Sequence, residues 1–303
     1  MRRALLRPAL HRSSSPAPWS SSSRVLSSQA RAPHQVHAPL PSPSPFHATT
    51  SRVARLAKGQ GFHHSLPATM STAADLDAVQ MGYMHGEHCI ILDGNDKVVG
   101  HDTKLNCHLL DHESFKNPHR AFSVFLFNSK SELLLQQRSH SKVTFPLVWT
   151  NTCCSHPLYK EDELQEEGSL GVRIAAQRKL DNELGISAAE SPLEGFTVMG
   201  RIHYKAPCEG LLDGKGWGEH EIDYCVIMKG DVEVKPNPEE VEAVRYVSKE
   251  GLREILAEAD AGKVKLSPWF RLIVDNLLFK WWDEMDAGKL EECIDMKNIV
   301  KFT

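Results

Sequence analysis

Residues 121–137 read AFSVFLFNSKSELLLQQ, and this stretch does most to decide the fold. Two apolar runs, residues 121–127 and residues 133–137, flank the polar segment Asn128–Glu132. Short apolar runs rich in Phe, Val and Leu that are separated by a few turn-forming residues are typical of a β-hairpin. The sequence therefore predicts two adjacent antiparallel strands at this point.

The segments around the hairpin predict helices as well as further strands. A helix is expected at about Ser169–Leu184, where apolar residues recur every four positions and Gly185 follows as a C-terminal cap. Strands are expected at Gly200–Tyr204 and Glu221–Met228. The pattern indicates an α+β fold, a mixed sheet sandwiched by helices, with additional C-terminal helices.

Two helices are predicted at the C-terminal end of the chain. The first begins near Ser248. The second has Ser267 as its N-cap and Pro268 in its first turn. Its apolar stripe consists of Phe270, Ile273, Leu277 and Trp281.

Charge is distributed unevenly along the 303 residues. Residues 1–74 hold nine Lys and Arg and no carboxylate, which leaves 26 basic against 39 acidic side chains, a net −13, in residues 75–303. The first segment is also rich in Ser and Pro, so we expect a disordered transit peptide and linker. Residues 75–303 are expected to form one domain.

This distribution also excludes some classes of partner. The basic residues lie in a Ser- and Pro-rich segment and not on a folded face, so nucleic acid is not expected as a partner. No apolar run reaches the roughly 20 residues of a membrane span. The composition favours import into a plastid over a mitochondrion, and the seven scattered cysteines indicate free thiols.

The densest candidate site is residues 150–157, TNTCCSHP, where two adjacent thiols precede a Ser-His-Pro step. A reactive thiol needs a polar or electropositive setting, and this segment offers one. Free cysteines are often simply buried. The residues alone leave both interpretations open.

A second candidate combines histidines with carboxylates. Glu219 and Glu221 alternate along a predicted strand, so they point to the same face, while His220 points away. Two such carboxylates repel unless a cation lies between them. With His108, His119 and His156 they could form a divalent-metal site, although the long spacing does not establish that these residues converge.

Three cationic side chains, Lys104, Arg138 and Lys142, form the third candidate cluster. They are suited to bind a phosphate group. Solvated surface charge is the alternative that the residues alone favour.

Together and in this order, the three clusters resemble the type I isopentenyl diphosphate isomerases of the Nudix superfamily. The resemblance extends from about residue 80 to residue 282. It rests on the segments TKLNCH (103–108), HRAFS (119–123), TNTCCSHP (150–157), RIHYKA (201–206), WGEHEIDY (217–224) and SPWF (267–270).

The resemblance implies roles for individual residues. The catalytic residues would be Cys154 rather than Cys153, Glu221, Tyr204 beside Glu221, and Trp269 facing a cationic centre. The implied diphosphate and substrate contacts are Lys104, Arg138, Lys142 and the Ser155 backbone. The implied metal ligands are His108, His119, His156, Glu219 and Glu221, which would hold Mg²⁺, Mn²⁺ or Zn²⁺.

The Nudix hydrolase motif is degraded in this chain. Its Arg-Glu-x-x-Glu-Glu-x-Gly part reads RKLDNELG at residues 178–185, so two of three glutamates are replaced. A hydrolase that activates water on a carboxylate-held Mg²⁺ would lack those ligands. The resemblance implies that the remaining Glu183 helps to hold the Mg²⁺ that arrives with the diphosphate.

The expected reaction is the interconversion of isopentenyl and dimethylallyl diphosphate, a 1,3-allylic proton shift in isoprenoid biosynthesis, by a monomer. A Nudix diphosphate hydrolase is the alternative. A second alternative is a noncatalytic zinc module in which Cys107, Cys153, Cys154 and histidines form a structural site, although such sites usually have short paired Cys spacings.

Overall fold

The computed structural model describes residues 78–212 and 215–302. The predicted transit peptide and linker, residues 1–74, lie outside this part of the chain. No helix within the described residues is long and apolar enough to cross a membrane.

The predicted hairpin is confirmed and forms the centre of the sheet. Strand β3 (His119–Phe127) and strand β4 (Leu133–Arg138) are antiparallel, with Phe127 opposite Leu133. All nine residues of β3 are buried, as expected for a strand that is covered on both faces. The central position of β3 allows it to carry side chains to both layers of the molecule.

The two hairpin strands separate immediately after the turn, and the sheet branches there. Strand β4 pairs along its length with β9 (Val241–Val247). The free edge of β3 is instead occupied by β1 (His88–Leu92) at its start and by β6 (Cys153–Ser155) at its middle. Residues of β3, β4 and β6 line a common cavity.

The other edge of β3 pairs in parallel with strand β8 (Lys215–Lys229), and His119 lies opposite Glu221. The remaining strands of the described chain are β2 (Val98–Thr103), β5 (Trp149–Thr150), β7 (Phe196–Leu212) and β10 (Asp295–Phe302). The helices are α1 (Ala78–Gly86), α2 (Lys104–His108), α3 (Leu170–Leu184), α4 (Lys249–Asp260), α5 (Pro268–Ile273) and α6 (Phe279–Asp286). Parallel and antiparallel pairs occur together, so the predicted mixed sheet is confirmed.

The side chains of β3 alternate between two apolar cores. Phe125 and Phe127 pack with the C-terminal helices, including Trp269 and Trp282. Phe122 and Val124 pack on the opposite face, against α3. This alternation follows from the period of two in a strand. It produces the predicted sandwich of a sheet between helices.

Helix α3 forms as the sequence predicts. Val172, Ala176, Leu180 and Leu184 are all buried. Gly185 ends the helix with a φ of 64°, a left-handed conformation that glycine adopts without a steric cost. The helix therefore has its apolar stripe and its C-terminal cap where the spacing places them.

The last predicted helix differs in two details. Ser267 occupies the N-cap position, but its hydroxyl forms a 2.7 Å hydrogen bond with Thr150 and does not cap the helix. A π-helical turn, Val274–Leu278, then separates α5 from α6. Phe270, Ile273 and Trp281 of the predicted stripe are buried. Leu277 is half-buried against the same core, and Leu278 in the π-helical turn is fully buried beside it.

Candidate active site

Five buried side chains from four segments meet beside the start of β3. His108 ends α2, His119 begins β3, and His156 directly follows β6. Glu219 and Glu221 are alternate residues of β8 and point to the same face. Ligand atoms of the three histidines and Glu219 all lie within 4.8 Å of one another. The structure thus brings together the residues whose convergence the sequence spacing did not establish.

Short distances connect these histidines to the two carboxylates. His108 Nε2 is 2.8 Å from Glu219 Oε2, and His156 Nε2 is 2.8 Å from Glu221 Oε1. His119 Nε2 lies between the carboxylates, at 3.8 Å from Glu219 and 3.5 Å from Glu221. The nitrogen and oxygen atoms therefore face a common centre.

The two carboxylates differ in their electrostatic environment. Burial alone would raise the pKa of Glu219. The charge and hydrogen bond of His108, together with His119 and Thr144, outweigh burial and lower this pKa to about 2. Burial opposes protonation of His108, yet the same pair raises the His108 pKa. By contrast, burial and the charge of Glu219 raise the pKa of Glu221 well above its usual value, whereas burial lowers the pKa of His156. Burial and neighbouring charges thus shift the pKa values of the two carboxylates in opposite directions, down for Glu219 and up for Glu221.

The donor atoms fit a divalent metal ion. Within the described residues, both ring nitrogens of His119 are buried without a hydrogen-bond partner. Buried polar atoms rarely stay unpaired, and a cation would satisfy them. His108 Nδ1 is 2.5 Å from the Lys104 carbonyl oxygen, and Thr144 donates a 2.9 Å hydrogen bond to Glu219 Oε1. Contacts of this kind orient metal ligands, so the cluster has the donor atoms and the supporting contacts that a divalent metal ion needs.

The two adjacent cysteines lie on opposite faces of β6. Cys153 is fully buried beneath α3, with its sulfur 3.4 Å from Glu183 Oε2. Cys154 lines the cavity beside the metal site, and its sulfur is 3.8 Å from Arg138. Burial raises the pKa of Cys154 to about 12, so the thiol holds its proton in the free protein. Of the two thiols, Cys154 is the one placed at the cavity.

Tyr204 and Trp269 line the same cavity. The Tyr204 hydroxyl donates a 2.5 Å hydrogen bond to Glu221 Oε2, as the family resemblance implied. Burial, and then the charge of Glu221, raise the pKa of Tyr204 well above its usual value. The indole nitrogen of Trp269 donates to Asn151 Oδ1 at 3.1 Å, which fixes the ring plane.

The three predicted cations also line this cavity, and each has a partner. Lys104 pairs with Glu87 at 3.0 Å. Lys142 forms a close ion pair with the buried carboxylate of Glu240. Arg138 is buried, and its guanidinium donates to the backbone carbonyls of Thr144 and Phe145 at 2.9 and 3.0 Å. Ser155 lines the cavity beside them.

Glu183 lies apart from the five-residue cluster. Its two carboxylate oxygens contact Lys179 at 3.1 Å and Gln136 at 3.0 Å. Lys179 stands where the hydrolase motif has its first glutamate, so the chain has an ion pair where a hydrolase has two carboxylates. The predicted role of Glu183 in holding Mg²⁺ stays a prediction.

Sequence reasoning missed four residues that hold site residues in place. Thr144 and Asn151 form hydrogen bonds with Glu219 and Trp269, respectively. Glu240 and Lys179 form ion pairs with Lys142 and Glu183, respectively. Lys179 could have been recognised, because a lysine that replaces a motif glutamate brings a cation to that position. The other three contacts join residues that are up to 118 positions apart, and no local pattern indicates them.

The zinc-module alternative is wrong for the described residues. All seven cysteines are free, and the metal-ligating cluster found there contains histidines and a glutamate but no cysteine. Cys107 and Cys153 belong to different apolar clusters and do not converge with the histidines.

Comparison with known proteins agrees with this geometry. Residues 117–270 match the NUDIX domain family. The chain is 60% identical over 244 residues to isopentenyl-diphosphate Delta-isomerase 1, chloroplastic, of Cannabis sativa, covering 79% of this chain and 83% of that protein. It is also 60% identical over 236 residues to the chloroplastic isomerase I of Arabidopsis thaliana, covering 77% and 79%. Isomerase I of Clarkia breweri is 54% identical over 274 residues, covering 89% and 92%.

Proposed function

Because this chain belongs to the isopentenyl-diphosphate Delta-isomerases within the NUDIX family, it interconverts isopentenyl and dimethylallyl diphosphate, and we propose that Cys154 and Glu221 transfer the protons. The observation that carries this assignment is that both groups line one cavity beside the His/Glu cluster. The chloroplastic relatives agree with the plastid localisation predicted from the composition of the N-terminal segment.

The reaction needs an acid and a base that act on one hydrocarbon. A proton is added at the terminal alkene carbon, and another is removed from the carbon on the other side of the resulting tertiary cation. Cys154 offers a protonated thiol. The carboxyl of Glu221 is coupled to the hydroxyl of Tyr204 through a 2.5 Å hydrogen bond. These groups can give and take protons at fixed positions in a buried site.

The side chains around the hydrocarbon stabilise the cation. The indole of Trp269 lines the cavity in a fixed orientation, and a π face attracts a positive charge. Most of the surrounding side chains are buried, and electrostatic effects are stronger where water is excluded. This environment explains how so weak a base as an alkene can be protonated.

Lys104, Arg138, Lys142 and the Ser155 backbone are proposed to hold the diphosphate, with Glu183 supporting the accompanying Mg²⁺. Anchoring this group positions an otherwise unreactive hydrocarbon. The five-residue cluster would hold Zn²⁺, Mn²⁺ or Mg²⁺, of which the three imidazoles favour Zn²⁺. A metal bound there would favour the ionised form of Glu221 and orient its carboxylate.

One experiment tests the function directly. The protein is incubated with isopentenyl diphosphate and Mg²⁺, and dimethylallyl diphosphate and free phosphate are assayed separately. An isomerase forms the allylic product without phosphate release. Release of phosphate without isomerisation would indicate the hydrolase alternative. Light scattering in the same preparation tests the expectation of a monomer.

A further inference from the structure

A buried hydroxyl–carboxylate pair lies on the catalytic face of the sheet, and none of the roles above uses it. Ser123 Oγ donates a 2.8 Å hydrogen bond to Asp223 Oδ2. Each residue is only 1% exposed. Within the described residues, the second oxygen of Asp223 has no hydrogen-bond partner. Burying an incompletely paired carboxyl group is costly, so its presence calls for an explanation.

The register of the strands places this pair between the two proton-transfer groups. On one edge of β3, Cys154 lies opposite Ser123, and on the other edge Glu221 lies opposite His119. Asp223 lies opposite Ala121, which is halfway along β3 between those two levels. Ser123 therefore lies in the cavity wall near Cys154, and Asp223 lies beneath it on the neighbouring strand.

The Ser123 hydroxyl reaches the cavity where the substrate binds. Ser123 lines the same cavity as Cys154, Glu221 and Trp269. Directly opposite residues of paired strands have Cβ atoms about 4.5–5.5 Å apart and share one face of the sheet. Ser123 is thus a direct neighbour of the Cys154 thiol, on the side from which the hydrocarbon is protonated or deprotonated.

The hydrogen bond to Asp223 decides which end of the hydroxyl dipole faces the cavity. A serine hydroxyl has one proton and two lone pairs. Because the Ser123 hydroxyl proton points to Asp223, the lone pairs of its oxygen point away from Asp223 and are available to the cavity that Ser123 lines.

From this arrangement we infer that Ser123 is a catalytic residue that stabilises the carbocation with its oxygen lone pairs, and that Asp223 is the positioning residue that orients the hydroxyl. Trp269 then faces the cation with its π electrons while Ser123 supplies a fixed dipole. Oriented dipoles of this kind act on charge that develops during the reaction and little on the uncharged ground state. This inference rests on the isomerase function proposed above.

The test compares two unreactive diphosphates of the same shape. One carries a dimethylammonium group in place of the tertiary carbon, and the other is the saturated, uncharged 3-methylbutyl diphosphate. In Ser123→Ala, we expect the Kd of the ammonium compound to rise about tenfold or more, while that of the neutral compound stays within about twofold. The kcat for isopentenyl diphosphate should fall by a similar factor, with little change in KM.

Two further variants separate this role from simple packing. Ser123→Thr keeps the hydroxyl and should restore the preference for the ammonium compound. Cys225→Ala removes a buried side chain on β8 directly opposite Ser123, so it is the matched control for lost packing and should leave the ratio of the two Kd values unchanged. Asp223→Asn retains an acceptor for the hydroxyl and should give an intermediate loss.

The outcomes distinguish this inference from the proposed function. Equal weakening of both diphosphates in Ser123→Ala, or unchanged binding of both, would overturn the role of Ser123. If Ser123→Ala does not fold, the ratio in Asp223→Asn decides the question, and an unchanged ratio counts against the inference. A wild-type protein that forms no dimethylallyl diphosphate would instead refute the proposed function.

Discussion

Metal binding at the His/Glu site should release protons, because the pKa values of two of its five ligands, His108 and Glu221, are raised in the metal-free protein. The Glu219 charge raises the pKa of His108, and burial raises the pKa of Glu221 well above its usual value. Glu219 is already ionised, with a pKa of about 2, and the lowered pKa values of His119 and His156 leave both rings neutral. A metal ion binds only deprotonated ligands, so it must displace the two protons.

The size of the effect follows from this count. At a pH below the raised pKa values of both His108 and Glu221, about two protons should leave for each metal ion bound, and at a pH between the two values about one should leave. Each released proton changes the affinity about tenfold per pH unit, so the affinity should rise by roughly 10²–10⁴ between pH 6 and pH 8.

The protein is first freed of metal with a chelator and then titrated with Zn²⁺ in a calorimeter, in two buffers of different ionisation enthalpy. The difference between the two heats gives the number of protons released per metal ion bound. Glu221→Gln should lower that number by about one. Glu242→Gln, the same substitution at an exposed carboxylate, is the control and should not change it. Heats that do not depend on the buffer at pH 7 would refute the assignment of protons to His108 and Glu221.

Three further predictions concern single side chains. Cys154→Ser should lower kcat by a factor of about 10²–10⁴, whereas Cys153→Ser should keep most of the activity, as measured by deuterium incorporation into product. Similar losses of kcat in the two variants would contradict the assignment. Burial raises the pKa of Asp223 to about 7, so the stability that this group contributes is full below pH 3.8 and is lost as the pH rises through 7. Urea unfolding should therefore find metal-free Asp223→Asn more stable than wild type at pH 8.5 by a few kcal/mol, since each unit of pKa shift corresponds to about 1.4 kcal/mol. A stability difference that does not change with pH would be evidence against this. Glu240→Gln leaves Lys142 buried without its carboxylate and should lower the free energy of unfolding by about 3–5 kcal/mol, whereas a loss below about 1 kcal/mol would show that the pair is not needed.

The local parts of the fold could be read from the sequence. The hairpin at residues 121–137 and helix α3 with Gly185 are specified by side-chain periodicity and turn residues close together in the chain. Burial then follows the same periodicity. These elements formed within a few residues of the predicted boundaries.

The branching of the sheet could not be predicted in this way. Strand β4 leaves β3 because its partner is β9, which lies about 110 residues further along the chain. The spacing of apolar residues also gave no sign of the π-helical turn at Val274–Leu278, whose Val274 and Leu278 pack in the core beside the sheet. Long-range packing decides both features.

The active site was predicted through resemblance more than through spacing. The motifs pointed to Cys154 rather than Cys153, and the alternation of side chains on β6 gives the physical reason. The residues that hold the site in place, such as Thr144 and Asn151, carry no motif. Their function depends on contacts that only the folded chain creates.

The metal site has a consequence for the order of events in the cell. Its ligands run from His108 to Glu221, and they are brought together by the parallel pairing of β3 with β8, whose partners are about 100 residues apart. Such non-local pairing is slow to form, and the unfolded chain has no preassembled ligand set. The ligand set is therefore complete only once the two strands have paired, and an ion bound there would stabilise the folded chain.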